Sequence, residues 1–325
     1  MPAQPDASPG VRIVGRADWS DPVGPRFCWS GTTVLARFSG SSVAVRLRDP
    51  GNYFEVALDG APLPVLAARP DQELYPLAAG LGPGPHQLSL HRRTEASVGE
   101  TQWLGLDVDG ELLPPPPPSS RRLEFVGDSI TCGYGVEGAD QNCRFSPATE
   151  NHHAAFAALA ARALDAEAIS VAYSGKGLIR DWDGGTGETM TALYDRVLLD
   201  RPASWDFSRF LPDAVVINLG SNDFGMGDPG PAFGPAYQRF VERVRGLYPR
   251  AHILCTLGPV MNPRQIARAR GYLAPALSSD PKVSYLEFPS QDGSLGYGCD
   301  WHPSKRTHQA MAGRLEAELR RKLGW

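Results

Sequence analysis

Leu123-Glu124-Phe125-Val126-Gly127-Asp128-Ser129-Ile130-Thr131 reads as a short apolar strand that runs into a turn and delivers a hydroxyl at its end. A brief apolar run bounded by glycine suits a strand buried on both faces of a parallel sheet. The continuation, Cys132-Gly133-Tyr134-Gly135, is small enough for a tight backbone that leaves the Ser129 hydroxyl exposed. Further apolar strands are expected at residues 168–172, 214–219, 253–257 and 283–286. Helical stretches separate them at 153–164 (alanine-rich), 237–247 (amphipathic) and 303–323. Strands alternating with helices predict a mostly parallel sheet covered on both faces, a flavodoxin-like three-layer α/β/α domain. Ligands of such sheets bind beyond the carboxyl ends of the strands. Ser129 falls there, and so does Asn222 in Leu219-Gly220-Ser221-Asn222-Asp223.

Toward the N-terminus the pattern changes at five consecutive prolines, residues 114–118. Such a run is stiff and extends neither sheet nor helix. It predicts a boundary: a first domain over 1–113, a linker over 114–120 and a second domain over 121–325. Before it, residues 43–48, 53–58, 86–91 and 103–108 alternate apolar and polar with period two. The turn signals Asp59-Gly60 and Asp109-Gly110 end two of these runs. Short strands with frequent turns and no convincing helix predict an all-β sandwich of the jelly-roll type.

A chain of 325 residues suits two domains rather than one, and 42% hydrophobic with 21% charged residues is a globular composition. The formal net charge of -4 gives no electrostatic reason to expect nucleic acid or an anionic membrane as partner. No apolar run reaches the roughly 18 residues of a membrane-spanning helix. The opening Met1-Pro2-Ala3-Gln4-Pro5-Asp6 lacks the basic and apolar regions of a signal peptide, so a cytoplasmic location is the default expectation. Five cysteines, an odd number, fit reduced thiols there. Cys132 and Cys143 flank a loop beside Ser129 and are the pair weighed for a disulfide.

A serine hydroxyl is a weak nucleophile and needs a base within hydrogen-bond reach. The bland alternative for Ser129 is a loop serine capping a backbone amide. His302 is the candidate base, because it lies in a loop just before a helix that Pro303 can start. His152 and His153 open a helix and are expected exposed; His252 and His308 are expected structural. Asp300, two residues before His302, is the candidate to fix the imidazole tautomer, against a plain capping role. Acyl transfer also needs donors for a developing oxyanion. The Ser129 N–H, the Asn222 amide and the N–H of Gly175 in Tyr173-Ser174-Gly175-Lys176-Gly177 are the candidates, with Gly177 next to Gly175. Asp128 and Asp223 are expected to fix loops through backbone amides. Trp301, Tyr134 and Trp182 are candidate cleft aromatics, and core packing is at least as good a reading for Trp182. No His-Glu-x-x-His or Cys-x-x-Cys spacing occurs, so neither a metal nor a cofactor is expected.

At these residues the chain resembles the SGNH (GDSL-type) hydrolase superfamily, whose blocks Ser129, Gly175, Asn222 and His302 match in order. More narrowly it is similar to carbohydrate esterase family 2, through Gly-Asp-Ser-Ile-Thr-x-Gly-Tyr-Gly (127–135), Ser-Gly-Lys-Gly (174–177) and Gly-Cys-Asp-Trp-His-Pro (298–303). The resemblance implies a jelly-roll domain ahead of a hydrolase domain. It also implies a serine esterase, independent of metal, that removes O-acetyl groups from sugars or polysaccharides such as xylan and glucomannan, with a leaning toward the 6-position. In the wider superfamily the aspartate usually lies three residues before the histidine; here Cys299 holds that place and Asp300 lies two before. Two rivals are an SGNH lipase or thioesterase acting on longer acyl chains, and a non-catalytic carbohydrate-binding protein.

Overall fold

The computed structural model describes residues 7, 8, 10–201, 203–278 and 280–325. The chain divides into two compact units, Met1–Pro118 with Val197–Ala203, and Ser119–Arg196 with Ser204–Trp325.

The first unit holds two antiparallel sheets. One contains Val11–Val14, Thr33–Ser39, Pro85–Arg92 and Tyr53–Leu58 as its central path, and the other runs Arg26–Phe27, Thr101–Val108, Ser42–Arg48, Leu74–Ala79. Alternate residues point inward: Val34, Ala36 and Phe38 from one sheet share a core with Val43, Val45 and Leu47 from the other. Period-two patterning with one solvated face is what a sandwich requires. The only helical turn among its described residues is Ala96–Val98.

The second unit is built on a parallel sheet. Its strands are β1 (Arg122–Gly127), β2 (Glu167–Ala172), β3 (Ala214–Asn218), β4 (His252–Leu257) and β5 (Val283–Glu287), in the order β2-β1-β3-β4-β5. That is the flavodoxin-like order. The helices are α1 (Ser129–Cys132), α2 (Phe156–Ala163), α3 (Met190–Leu193), α4 (Phe233–Leu247), α5 (Pro263–Ser278) and α6 (Lys305–Leu323). Phe156, Ala157, Ala160 and Ala161 of α2 join Met311, Leu315 and Leu319 of α6 against Leu123, Phe125, Val216 and Leu254, which fills one face of the sheet. The alanines of α2 keep that helix close to its neighbours. α4 and α5 contact β4 and β5 respectively.

Three departures from the sequence reading have local causes. The second unit does not keep the whole of 121–325, because Val197–Ala203 belongs to the first. There the Trp29 indole donates to the Val197 carbonyl (2.8 Å), and Arg201 pairs with Asp18 and Glu100 (3.2 Å each). α6 begins at Lys305, not Pro303, because Ser304 caps it by accepting from Thr307 N. His152 is buried rather than exposed, its Nε2 2.9 Å from Ser170 Oγ, and burial depresses its pKa to about 3. No described helix is long and apolar enough to cross a membrane.

Candidate active site

The register sets β1, β2 and β3 level, with Gly127 beside both Ala172 and Asn218. Their loops therefore leave from one edge of the sheet. The loop after β1 carries Ser129, that after β2 carries Gly175, and that after β3 carries Ser221 and Asn222. Val260 follows β4 and Gln291 follows β5. The loop before α6 brings His302. Ser129, Ser221, Asn222, Val260, Gln291, Tyr297, Asp300, Trp301 and His302 line an open cleft of about 470 Å³.

Ser129 opens α1, where Asp128 is the N-cap and accepts from Ile130 N at 3.0 Å. Its Oγ lies 2.9 Å from His302 Nε2. The other ring nitrogen, Nδ1, faces the backbone carbonyls of Cys299 and Asp300, each at 3.2 Å. These acceptors put the proton on Nδ1 and leave the Nε2 lone pair for the serine. Burial holds the His302 pKa below the ordinary histidine range, partly countered by the two carbonyls.

Asp300 is therefore not placed as expected. Its carboxylate turns away from the imidazole, taking Tyr134 OH (3.0 Å) and Phe145 N–H (3.0 Å) on one oxygen and Arg144 (2.8 Å) on the other. Its burial would raise its pKa, but the Phe145 amide, Arg144 and Tyr134 outweigh that and hold it low. The physical reason is backbone: Asp300 and Trp301 both occupy the left-handed region, at φ 51° and 63°. Two such residues before His302 direct carbonyls, not the carboxylate, at Nδ1. Strain of this kind persists only where surroundings fix it.

Those surroundings include a disulfide between Cys143 and Cys299. The pairing weighed from sequence, Cys132 with Cys143, is not formed; Cys132 is buried in α1 and lies outside the bridge. Cys299 N donates to Gly135 O and Asp300 N to Cys143 O, both at 2.9 Å. Gly135 has no room for a side chain: a Cβ would sit 2.6 Å from Cys299 Cβ. The loop that carries His302 is thus pinned to the segment that follows Ser129.

The oxyanion candidates stand at neighbouring strand ends. Asn222 Nδ2 donates to Lys176 O (2.9 Å) and to Asp128 Oδ2 (3.2 Å), which also accepts from Ser221 Oγ. Burial pushes the Asp128 pKa up to about 6 against these hydrogen bonds. No hydrogen bond to a described residue occupies the N–H of Ser129 or Gly175. Gly175 takes φ 79°, and a Cβ there would meet Trp182 Cδ1 at 2.6 Å, so only glycine fits. Asp223 accepts from the amides of Leu178 (2.8 Å), Ile179 (2.8 Å) and Arg180 (3.2 Å), fixing the end of the Gly175 loop.

Of the expected aromatics, Trp301 is 59% exposed on the cleft wall. Trp182 is 64% exposed over Gly175, which rules out core packing for it. Tyr134 stacks its ring on the His302 ring, 4.1 Å between centroids. Sequence reading missed Gln291, whose amide holds the Trp301 carbonyl at 2.6 Å, and also Tyr297 and Val260. Position just past the last strand was the available signal for Gln291, as it was for Ser129 and Asn222.

A serine and a histidine in hydrogen-bond contact, with an asparagine and a glycine at neighbouring strand ends of a flavodoxin-like sheet, define the SGNH class of hydrolase. Residues 13–117 match the family described as Carbohydrate esterase 2 N-terminal, and residues 125–310 match the GDSL-like Lipase/Acylhydrolase family. The chain is 44% identical over 326 residues to the cellulase/esterase CelE of Acetivibrio thermocellus, covering 98% of this chain but only 40% of that protein's length. It is 29% identical over 329 residues to an acetylxylan esterase / glucomannan deacetylase of Cellvibrio japonicus, covering 98% of this chain and 90% of the relative. A solved family two carbohydrate esterase from Clostridium thermocellum, in complex with cellohexaose, superposes with a TM-score of 0.94 at 43% identity, over 97% of this chain and all of the other. The chain belongs to carbohydrate esterase family 2.

Proposed function

We propose that the chain is a serine esterase that releases acetate from O-acetylated sugars or polysaccharides through an acetyl-serine intermediate. The observation that carries the reading is the 2.9 Å contact between Ser129 Oγ and His302 Nε2, with Nδ1 held by carbonyls, at the floor of an open cleft. His302 takes the Ser129 proton as Oγ attacks the acetyl carbonyl carbon. The N–H groups of Ser129 and Gly175 receive the oxyanion, joined by the Asn222 amide as it exchanges its 3.2 Å contact with Asp128 for the substrate oxygen. His302 then protonates the leaving sugar oxygen. Water, deprotonated by the same nitrogen, attacks the acetyl-serine and frees acetate. The names of the relatives support an acetylated xylan or glucomannan as substrate, and the cellohexaose held by the solved relative supports a saccharide-sized cleft. The 6-hydroxyl is the acetylated position proposed, on the family resemblance alone. The Cys143–Cys299 bridge supports an oxidising compartment over the cytoplasm expected from sequence.

The test is acetate release from acetylated xylan, glucomannan and defined monosaccharide acetates, beside aryl esters of increasing chain length. Ser129→Ala and His302→Ala should each lose several orders of magnitude in kcat. Turnover that favours long acyl chains would move the reading to a lipase or thioesterase. Glycan binding with no serine-dependent release would make the chain a binding protein.

A further inference from the structure

We infer that Tyr134 is a positioning residue for the base, its ring taking up the stabilisation of the His302 imidazolium that a carboxylate gives in a serine–histidine–aspartate triad. The inference rests on the esterase reading, in which His302 acquires a positive charge whenever it holds the serine proton. No carboxylate stands within hydrogen-bond distance of the imidazole among the described residues; Nδ1 meets two carbonyls at 3.2 Å. What covers the ring is the Tyr134 face, 4.1 Å between centroids and tilted by 30°. A cation over an aromatic face is attracted by the ring quadrupole.

The tyrosine is itself held on three sides. Phe145 stacks on it at 4.4 Å and 24°. Its hydroxyl donates to Asp300 Oδ2 at 3.0 Å. Its backbone N–H donates to Ser129 O at 3.0 Å, so the ring rides on the same turn as the nucleophile. The Asp300 charge thus reaches the base through the phenol, which it makes more electron-rich. The groups facing His302 are few. Ser129 and Tyr134 come from the turn after β1, and Asp300, paired with Arg144, comes from its own loop. His308 on α6 is kept neutral by burial, with a pKa of about 3.

The experiment compares wild type, Tyr134→Phe and Tyr134→Leu on an acetylated sugar, with kcat and KM measured across pH and folding checked by thermal melting. Tyr134→Leu removes the π face. It should lower kcat by about tenfold with KM little changed. It should also move the acidic limb of the profile to lower pH, because a group that favours protonated His302 is gone. Tyr134→Phe keeps the face and should fall between the two. An acidic limb that stays in place in a folded Tyr134→Leu protein overturns the inference. So do equal losses in the Phe and Leu variants. Wild-type turnover that survives Ser129→Ala would instead sink the esterase reading itself.

Discussion

At the scale of the residue, the decisive contact is the one Asp300 does not make. Because the carbonyls of Cys299 and Asp300 orient the imidazole, Asp300→Asn should cost less than about tenfold in kcat, a hydrogen bond's worth, far less than Ser129→Ala. A loss equal to that of Ser129→Ala would show the carboxylate to be essential. In the proposed mechanism His302 also sets the pH range: it has to be neutral to accept the serine proton, and burial lowers its pKa. The acidic limb of kcat/KM should therefore lie below the roughly 6.5 of an exposed histidine, with activity retained on the acid side of it. A profile measured on a neutral acetyl sugar reads this directly. The placement of Ser129, Asn222 and Gly175 at strand ends was legible in the sequence: an apolar run stops, small residues follow, and the next residues stand at the sheet edge. The Asp300 geometry was not legible. A left-handed turn at Asp300 and Trp301 leaves no trace in residue type, since neither is glycine.

At the scale of the element, the loop that carries His302 is anchored by a covalent bond. The turn after β1 and the loop before α6 are joined by Cys143–Cys299, 156 residues apart in sequence. Closing so long a loop stabilises a fold by about 2–5 kcal/mol, chiefly through the unfolded chain. Reductant should therefore lower both the melting temperature and kcat of the wild type. Cys143→Ser should show both losses beforehand and respond no further. A reduced wild type that melts earlier yet keeps its kcat would confine the bridge to stability. Cys132 was the partner weighed because it and Cys143 flank one loop beside Ser129; only the fold brings Cys299 to Cys143, with Gly135 packed against it. The regular elements fared according to their patterning. The strand at Tyr53–Leu58 alternates cleanly and was read with its observed bounds, whereas α5 was overlooked. That helix carries Gly271 and Pro275 inside an arginine-rich sequence, breakers that its buried Ile266, Ala269, Leu273 and Ala276 overcome by packing.

At the scale of the whole molecule, the proline run suggested a cut that the fold does not make cleanly. Residues past 118 form the hydrolase unit except for Val197–Ala203, which belongs with the sandwich. Its sequence signal was absent, because Val197-Leu198-Leu199 reads as ordinary hydrolase apolar chain. In the fold, Leu198 is fully buried, the Val197 carbonyl receives the Trp29 indole, and Arg201 meets Asp18 and Glu100. A fragment spanning 119–325 retains Ser129, Gly175, Asn222 and His302 but loses every one of those partners. Val197 and Leu198 lose the unit they are placed with, the Val197 carbonyl loses the Trp29 indole, and Arg201 loses both carboxylates. The fragment is therefore expected to melt below the full chain and to aggregate on concentration. Substituting Val197 and Leu198 with serine in the same fragment should restore solubility, because the liability is apolar surface and not a missing catalytic part. Light scattering and thermal melting of the three proteins decide it. A fragment as soluble and as stable as the full chain would show that the segment holds its place without the sandwich residues it touches.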